Sequence, residues 1–276
     1  MDLENKVVLI TGASRGIGKA VAAAFLKEGA KVMLAARSEE ELKITQQEFK
    51  INYPFVEIAA FDVSNFLEST EVVKKTVAAF GTIDILVNAA GIYGPIGPSE
   101  EIDINLWRNT YEVNVFGTFQ MIHQVAPIMI KNKSGKIINF SGGGDGPLAR
   151  FSAYNSSKVA IVRLTETLAV EFKDYNLEVN CLAPGPVNTK FLDEALAAGE
   201  GKVGPDRYAI LQKQKADGGV PPEKTAELCV FLASSRSNGL TGKFLSVVWD
   251  KWQDWGPEEI KKIMATDVYT LRRVKI

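Results

Sequence analysis

The chain has very few of the residues that metal sites and disulfides require. Its 276 residues include two cysteines, Cys181 and Cys229, and one histidine, His123. Both cysteines fall within apolar segments, so we expect reduced core thiols of a cytoplasmic protein rather than a disulfide or a metal site. His123 lies on a predicted helix, where we expect a packed structural residue and not a ligand. A single histidine also excludes a multi-histidine zinc site.

A surplus of either charge and long apolar runs are missing as well. Lys and Arg total 32 against 33 Asp and Glu, a net charge of -1, so no basic surplus predicts binding to nucleic acid. No apolar run is long enough to span a membrane, and the first residues, 1–4, lack the basic start of a signal peptide. Apolar residues, in contrast, make up 46% of the chain, enough at this length to bury one large core in a single domain.

Short apolar runs alternate with helical patterns along most of the chain. The runs predict strands at residues 6–10, 31–35, 55–59, 83–87, 136–140, 178–182 and 243–248. Between them, residues 38–41 predict a capping box, Gly81 predicts a helix end, and Pro222 predicts a first helical turn. This alternation predicts an α/β fold: a doubly wound parallel sheet with helices on both faces, which binds ligands beyond the carboxyl ends of its strands.

The first predicted strand runs into a glycine-rich turn, residues 11–18, and then into a helical pattern from Lys19 to Glu28. Strand, turn and helix in this order form a phosphate cradle. Gly12 permits the tight turn, Gly16 lets the backbone approach a pyrophosphate, and Gly18 allows the helix to pack close to the sheet. The alternative is a tight strand-to-helix turn that binds no ligand.

Tyr154 and Lys158 lie four residues apart at the start of another helical pattern. This spacing puts both side chains on one helix face, with the ammonium beside the phenol. A neighbouring cation lowers the pKa of a phenol, and a fall from about 10 to about 7 requires roughly 4 kcal/mol. Such a pair would act as a general acid on a carbonyl oxygen or as a base on an alcohol. Alone, the spacing also fits a chance surface pair.

Six motifs in order resemble those of the short-chain dehydrogenase/reductase family, from about residue 6 to about residue 245. They are the turn at 11–18, Asp62-Val63, Asn88-Ala89-Ala90-Gly91, Asn114 in an N-x-x-G, Ser141 with Tyr154 and Lys158, and the P-G-x-x-x-T at 184–189. One position departs from the family: Ala89 stands where the family has asparagine. The resemblance implies a single Rossmann-type domain over residues 1–248 that binds a nicotinamide dinucleotide.

The resemblance also implies roles for individual residues. Tyr154 would exchange a proton with the substrate oxygen, Lys158 would lower the pKa of that phenol and bind the nicotinamide ribose, and Ser141 would polarise the carbonyl. Asn114 would hold a water that links Lys158 to solvent. No metal is implied. The implied cofactor-binding residues are Gly12, Ser14, Arg15, Gly16, Ile17, Gly18, Arg37, Ser38, Asp62, Val63, Asn88, Ala89, Gly91, Tyr154, Lys158, Pro184, Gly185, Val187 and Thr189.

The end of the second predicted strand bears on the choice of cofactor. Sites for NAD(H) usually place an acid there, to bind the adenosine ribose, but this chain has Ala36 followed by Arg37. Arg37 and Arg15 would clamp a 2′-phosphate, with Ser38 as a further donor, which favours NADP(H). NAD(H) stays an alternative if Arg37 is solvated, or if an acid at 39–40 reaches back to a ribose hydroxyl.

The substrate is less well defined by the sequence. Residues 187–219 are glycine-rich and predict a lid, and their polar content indicates a polar carbonyl or alcohol, sugar-like or polyol-like. Asp145, in the glycine run after Ser141, would accept hydrogen bonds from such a substrate or would be solvated. Two alternatives remain: a 3-oxoacyl-thioester reductase, and a regulatory module that senses NADP(H) without turnover.

The C-terminal residues 249–276 depart from the family. Trp249, Trp252 and Trp255 cluster there, and Arg272-Arg273 lie near the end. We expect the tryptophans to pack on the same domain or at a subunit interface, with a substrate-pocket wall as the alternative. The two arginines are expected to be solvated, or else to meet an anionic group of the substrate. The family resemblance implies a homodimer or homotetramer acting on a small-molecule substrate.

Overall fold

A seven-stranded parallel sheet forms the centre of the computed structural model, which describes residues 1–142 and 146–272. The strands are β1 (Val7–Thr11), β2 (Lys31–Ala36), β3 (Val56–Ala60), β4 (Ile85–Asn88), β5 (Gly135–Phe140), β6 (Leu177–Ala183) and β7 (Phe244–Ser246). Their order across the sheet is β3-β2-β1-β4-β5-β6-β7. The chain therefore reverses its direction across the sheet between β1 and β4, the point where such sheets bind ligands.

Helices cover both faces of the sheet, as the alternation predicts. They are α1 (Gly16–Lys27), α2 (Glu39–Lys50), α3 (Phe66–Phe80), α4 (Ile104–Tyr111), α5 (Gly117–Asn132), α6 (Ser152–Glu171), α7 (Lys190–Ala198), α8 (Glu200–Val203), α9 (Pro205–Asp217), α10 (Pro222–Ala233) and α11 (Pro257–Met264). A π-helical turn, Glu112–Phe116, joins α4 to α5. Within residues 1–142 and 146–272, no helix combines the length and the apolar character that a membrane span would need.

The strands bury both of their faces, which explains their continuous apolar runs. Successive side chains of a strand point to opposite faces, so β1 contributes to two cores. Val8 and Ile10 pack in the core beneath α1 and α10, where Phe25 and Phe231 are also buried. Leu9 packs in the second core, beneath α3 and α5. Both cysteine thiols are buried and free, as expected.

The three helix signals are present, one of them in part. Gly81 ends α3 with a φ of 87°, and Pro222 opens α10. The Ser38 hydroxyl accepts the backbone N–H of Glu41 at 3.2 Å and so caps α2. The return bond of a capping box is absent from the described residues, because the Glu41 carboxylate binds elsewhere.

The last strand is shorter than predicted. Residues 243–248 read as one apolar run, but β7 ends at Ser246. The Asp250 carboxylate accepts the N–H of Ser246 at 2.6 Å, and the Ser246 hydroxyl accepts the N–H groups of Val248 and Trp249, each at 3.2 Å. These side-chain bonds fold the chain into a turn, because Ser and Asp offer the backbone partners that compete with a sheet.

The three C-terminal tryptophans differ in their packing: two pack on the same domain, as expected, and the third does not. Trp252 and Trp255 are buried, with ring centroids 5.7 and 6.4 Å from that of Phe231, whereas Trp249 is 81% exposed. The separation arises because the turn after Ser246 points Trp249 outwards. His123 is likewise exposed and not packed in the core, because it lies on the outer face of α5.

The end of the described chain returns to the edge of the sheet. The N–H of Phe244 in β7 donates to the carbonyl of Tyr269 at 2.8 Å. Arg272 forms an ion pair with Glu166 of α6 at 3.4 Å, and Glu166 also accepts the N–H of Leu271 at 2.6 Å. Arg272 is thus held by a carboxylate of the fold and is not freely solvated. Arg273 lies outside the described residues.

Candidate active site

A cavity of about 660 Å³ opens at the carboxyl ends of the strands. It is bounded by the turn after β1, by Ala36 at the end of β2, by Ala89 after β4, by Ser141 after β5 and by Pro184 after β6. Its volume lies within the range of small-molecule and cofactor sites. The motifs picked out from the sequence therefore converge on one site.

The glycine turn is shaped for close approach of a ligand. Gly12 has a φ of +67°, and a Cβ there would lie 2.9 Å from the Cα of Ala90. A Cβ at Gly18 would lie 2.2 Å from the carbonyl oxygen of Gly12, so α1 can pack this closely only with glycine. The first turn of α1 has no side-chain cap and no acidic residue. Its N–H groups are left for an anion, and these residues fit a dinucleotide pyrophosphate.

The Tyr154 hydroxyl lies beside the segment that follows β5. Tyr154 stands in the first turn of α6, and a Cβ placed on Gly142 would lie 2.3 Å from its phenol oxygen. Gly142 directly follows Ser141, whose hydroxyl is buried and donates to the carbonyl oxygen of Lys158 at 3.1 Å. The predicted acid and the predicted carbonyl-polarising hydroxyl are thus brought to the same wall of the cavity.

Lys158 lies one turn further along α6 and is only 6% exposed. Its Nζ donates to the carbonyl oxygen of Phe140 at 3.0 Å and stands 5.9 Å from the ring centroid of Tyr154. Burial lowers the pKa of Lys158 from 10.5 to about 8, since a low-dielectric site penalises the ammonium.

The pKa of the Tyr154 phenol moves in the direction opposite to the sequence expectation. Burial raises it, the neighbouring Tyr93 raises it further, and only the charge of Arg207 opposes the change. Lys158 does not lower this pKa, since its ammonium is turned towards a backbone carbonyl, and desolvation of the phenolate is the largest cause of the rise. The protein surroundings therefore hold Tyr154 in its protonated, proton-donating form.

Asn114 lies behind the cavity wall, in the π-helical turn. Its Oδ1 accepts the N–H of Ile92 at 2.9 Å, and its Nδ2 donates to the carbonyl of Ile92 at 3.0 Å and to the hydroxyl of Ser157 at 3.0 Å. These bonds hold the segment after β4 against α6. A Cβ on Gly91 would lie 3.3 Å from both Asn114 Oδ1 and Lys158 Nζ. Single π turns recur at functional sites, and this one places Asn114 next to the catalytic lysine candidate.

Asn88 also lies behind the wall rather than on it. Its Nδ2 donates to Asn139 Oδ1 at 2.9 Å, and Asn139 Nδ2 donates to the Thr165 hydroxyl at 2.9 Å, which ties β4 and β5 to α6. The other predicted cofactor-binding residues all line the cavity.

The adenosine end of the cavity contains a group that the sequence analysis missed. Glu41, in the first turn of α2, accepts the Ser14 hydroxyl at 2.8 Å and Arg15 Nη1 at 2.8 Å. Arg37 also lines the cavity and has no ion pair in residues 1–142 or 146–272. The acid that approaches this end is therefore neither residue 39 nor residue 40. The available signal was that a third acid follows Ser38 in the same helical turn.

The substrate end is aromatic, and these residues were also missed. The Tyr93 ring lies 4.6 Å from that of Tyr154 and 4.7 Å from that of Phe191, centroid to centroid. Phe191 and Glu194 line the cavity from α7. Because Phe191 is remote from Tyr154 in the sequence, only the tertiary fold brings the rings together. Asp145 lies outside the described residues.

The predicted lid, residues 187–219, consists of α7, α8 and α9. An antiparallel bridge between Val187 and Gly219 closes its base. Leu192, Val203 and Leu211 are buried together with Phe151, which precedes α6. The segment thus has a small core of its own, and its first residues, up to Glu194, line the cavity.

Comparison with known proteins identifies the family of this chain. Residues 6–199 match the family described as short chain dehydrogenase. The chain is 34% identical to the BbsD subunit of a hydroxy(phenyl)methylsuccinyl-CoA dehydrogenase of Thauera aromatica, covering 90% of this chain and 96% of that protein. It is 33% identical to a 3-oxoacyl-(acyl-carrier-protein) reductase of Thermotoga maritima, covering 90% and 98%.

Solved structures give the same picture. A levodione reductase superposes with a TM-score of 0.82 at 26% identity, covering 92% of this chain and 100% of that one. An NAD+-bound xylitol dehydrogenase superposes with a TM-score of 0.79 at 28% identity, covering 89% of this chain and 98% of that one.

Proposed function

This chain belongs to the short-chain dehydrogenase family, and we propose that it transfers a hydride between NADP(H) and a polar carbonyl or secondary alcohol substrate. As a family member it is an NAD(P)-dependent oxidoreductase that acts on CH–OH or C=O groups. One observation carries the proposal. The Tyr154 hydroxyl lies against Gly142, next to Ser141, in the same cavity as the uncapped glycine turn.

Each residue of the site has a separate role in the reaction. When bound, the nicotinamide supplies or accepts the hydride. Tyr154 gives its phenol proton to the substrate oxygen in reduction, and its raised pKa keeps that proton in place beforehand. The Ser141 hydroxyl, which now donates to the Lys158 carbonyl, turns about its Cα–Cβ bond to stabilise the developing charge on that oxygen. Asn114 accepts the N–H of Ile92 and so fixes the segment after β4, where Ile92 and Tyr93 line the cavity.

Preference for NADP(H) is supported by the charge at the adenosine end. Ala36 ends β2, so no acid stands at the position from which a carboxylate usually binds the ribose hydroxyls. Arg15, Arg37 and Ser38 line this end and would hold a 2′-phosphate, since a guanidinium binds phosphate through two parallel hydrogen bonds.

A polar substrate is supported by two groups that line the other end, the Tyr93 hydroxyl and the Glu194 carboxylate. The likeness to a xylitol dehydrogenase fits a polyol. Residues 187–219 would open and close over the substrate, with the positive-φ glycines between their helices as hinges. The second candidate is a thioester substrate, because two of the relatives are named for acyl-CoA and acyl-carrier-protein substrates.

Absorbance of the reduced cofactor tests the proposal. Purified protein would be run with NADPH or NADH, and in reverse with the oxidised cofactors, against sugars, polyols, 3-oxoacyl thioesters and hydrophobic ketones. Tyr154→Phe should abolish turnover and leave the cofactor Kd within about twofold, because only the reacting hydroxyl is removed. Tyr175→Phe, at an exposed tyrosine outside the cavity, is the matched control and should turn over like the wild type.

Tight NADPH binding without turnover on any of these substrates would contradict the proposal and favour the NADP(H)-sensing module. Turnover on 3-oxoacyl thioesters alone would select the second candidate. The homodimer or homotetramer stays a prediction, which light scattering on the same preparation would test.

A further inference from the structure

Glu41 binds Arg15, one of the three side chains that would hold an adenosine 2′-phosphate, and also the neighbouring Ser14. Its two carboxylate oxygens accept the Ser14 hydroxyl and Arg15 Nη1, each at 2.8 Å. The remaining donors, Arg37 and Ser38, line the same end of the cavity. The Glu41 carboxylate therefore already occupies part of the site in which the phosphate dianion would bind.

Carboxylate and phosphate make the same kind of contact with a guanidinium, so the two anions compete for Arg15. They also repel each other, and this repulsion acts at short range in a partly desolvated cavity. The ribose of NAD(H) ends in a neutral hydroxyl, which neither competes for Arg15 nor repels Glu41. The cost imposed by Glu41 therefore falls on the phosphorylated cofactor.

The fold does not need this carboxylate. The Ser38 hydroxyl caps α2 by accepting the backbone N–H of residue 41, which is present whatever the side chain. The Arg15–Glu41 pair is partly solvated, with side chains 51% and 39% exposed, and such pairs add little to stability. Glu39, in the same helical turn, carries the same charge but pairs with Lys43.

We propose that Glu41 is a specificity-determining residue. Its carboxylate competes with the 2′-phosphate, so it weakens binding of NADP(H) and makes the preference for NADP(H) over NAD(H) smaller. The proposal rests on the proposed function in one respect, that the adenosine 2′-phosphate enters between Arg15 and Arg37. NADP(H) then binds by displacing the carboxylate from Ser14 and Arg15, whereas NAD(H) leaves that contact in place.

Binding measurements on Glu41→Gln test this without any substrate. Nicotinamide fluorescence titrations would give the Kd of NADPH and of NADH for the wild type, Glu41→Gln and the matched control Glu39→Gln. We expect Glu41→Gln to lower the Kd of NADPH about tenfold and to leave that of NADH unchanged. Glu39→Gln should change neither the Kd of NADPH nor that of NADH. All three proteins should have the same Tm to within about 2 °C.

Two results would overturn the proposal. A higher Kd for NADH with an unchanged Kd for NADPH would mean that Glu41 binds a ribose hydroxyl. Unchanged Kd values for both would mean that the Arg15–Glu41 pair is only a surface contact. The preference itself is judged separately: if the wild type binds NADH more tightly, yet Glu41→Gln gains affinity for NADPH alone, the NADP(H) preference fails and the role of Glu41 stands.

Discussion

Replacing Lys158 with methionine should stabilise the protein while it removes the activity. The ammonium is buried, donates to the Phe140 carbonyl and has no carboxylate within ion-pair distance among residues 1–142 and 146–272. Burial lowers its pKa from 10.5 to about 8. Since each pH unit of displacement is worth about 1.4 kcal/mol, the native state gives up about 3 kcal/mol at pH 7 to hold this charge. Methionine is also unbranched and fills a similar space without the charge.

The pH dependence follows from the sign of that change. Between about pH 8 and 10.5 the unfolded chain binds more protons at Lys158 than the native protein does. Wild-type stability therefore rises in this window, by up to about 1.4 kcal/mol per pH unit. Urea unfolding should give Lys158→Met an advantage of about 3 kcal/mol at pH 7, which shrinks to about 1 kcal/mol by pH 9.5.

Lys136→Met is the matched control, with the opposite sign. Burial lowers the pKa of Lys136 too, but its Nζ pairs with Glu178 at 2.6 Å. The substitution would leave that largely buried carboxylate unpaired, at a cost of about 3 kcal/mol. A Lys158→Met protein that is less stable than the wild type at pH 7, or whose gain does not change with pH, would refute the reasoning. The ammonium would then be stabilised where it lies.

Two further predictions concern the active-site wall and the C-terminal segment. Gly142→Ala should lower kcat by about 10²-fold on the substrate that the cofactor assay identifies, because its Cβ would displace the Tyr154 hydroxyl by about 1 Å. Gly146→Ala is the control and should keep the wild-type kcat, since apart from its chain neighbours no atom of residues 1–142 or 146–272 lies within 4 Å of the added Cβ; a wild-type kcat for Gly142→Ala would contradict the placement of Tyr154. Glu166→Gln should speed trypsin cleavage after Arg272 severalfold, since Glu166 binds Arg272 and the N–H of Leu271. The control variant is Glu171→Gln, at an exposed residue at the end of the same helix, and it should be cleaved at the wild-type rate. Equal rates for both variants would mean that other contacts hold the segment.

The fold could be predicted from the sequence because its strands are buried on both faces. Each predicted strand lies within two residues of the observed one at both ends, as at β1, where 6–10 became Val7–Thr11. Burial on both faces produces continuous apolar runs, which are easy to find. The last predicted strand was too long because hydrogen bonds from side chains to the nearby backbone end β7 early. Val247 and Val248 are apolar, but Ser246 and Asp250 bind the backbone and end β7.

The site could be predicted only as far as its motifs reach. Tyr154, Ser141 and Lys158 line one cavity as expected, because β5 and α6 adjoin in the fold. The direction of the Tyr154 pKa could not be foreseen, since it depends on burial and on Tyr93 and Arg207, which belong to other elements. The contacts of Glu41 were hidden for the same reason. A third acid after a serine predicts a capping box, and only the packing of α2 against the turn gives it another partner.

Polar groups at both ends of the cavity already have hydrogen-bond partners within the protein. The Lys158 ammonium donates to a carbonyl at 3.0 Å, the Ser141 hydroxyl to another at 3.1 Å, and Arg15 to Glu41 at 2.8 Å. A ligand that engages these groups must exchange one hydrogen bond for another, and such exchanges are worth only about 1 kcal/mol each. The bulk of the affinity must therefore come from groups that are not already paired, above all the uncapped N–H groups of α1, and from the area buried in the cavity. The exchanges then set selectivity: each one favours the ligand whose group replaces the internal partner best, and for Arg15 that comparison is between a carboxylate and a phosphate.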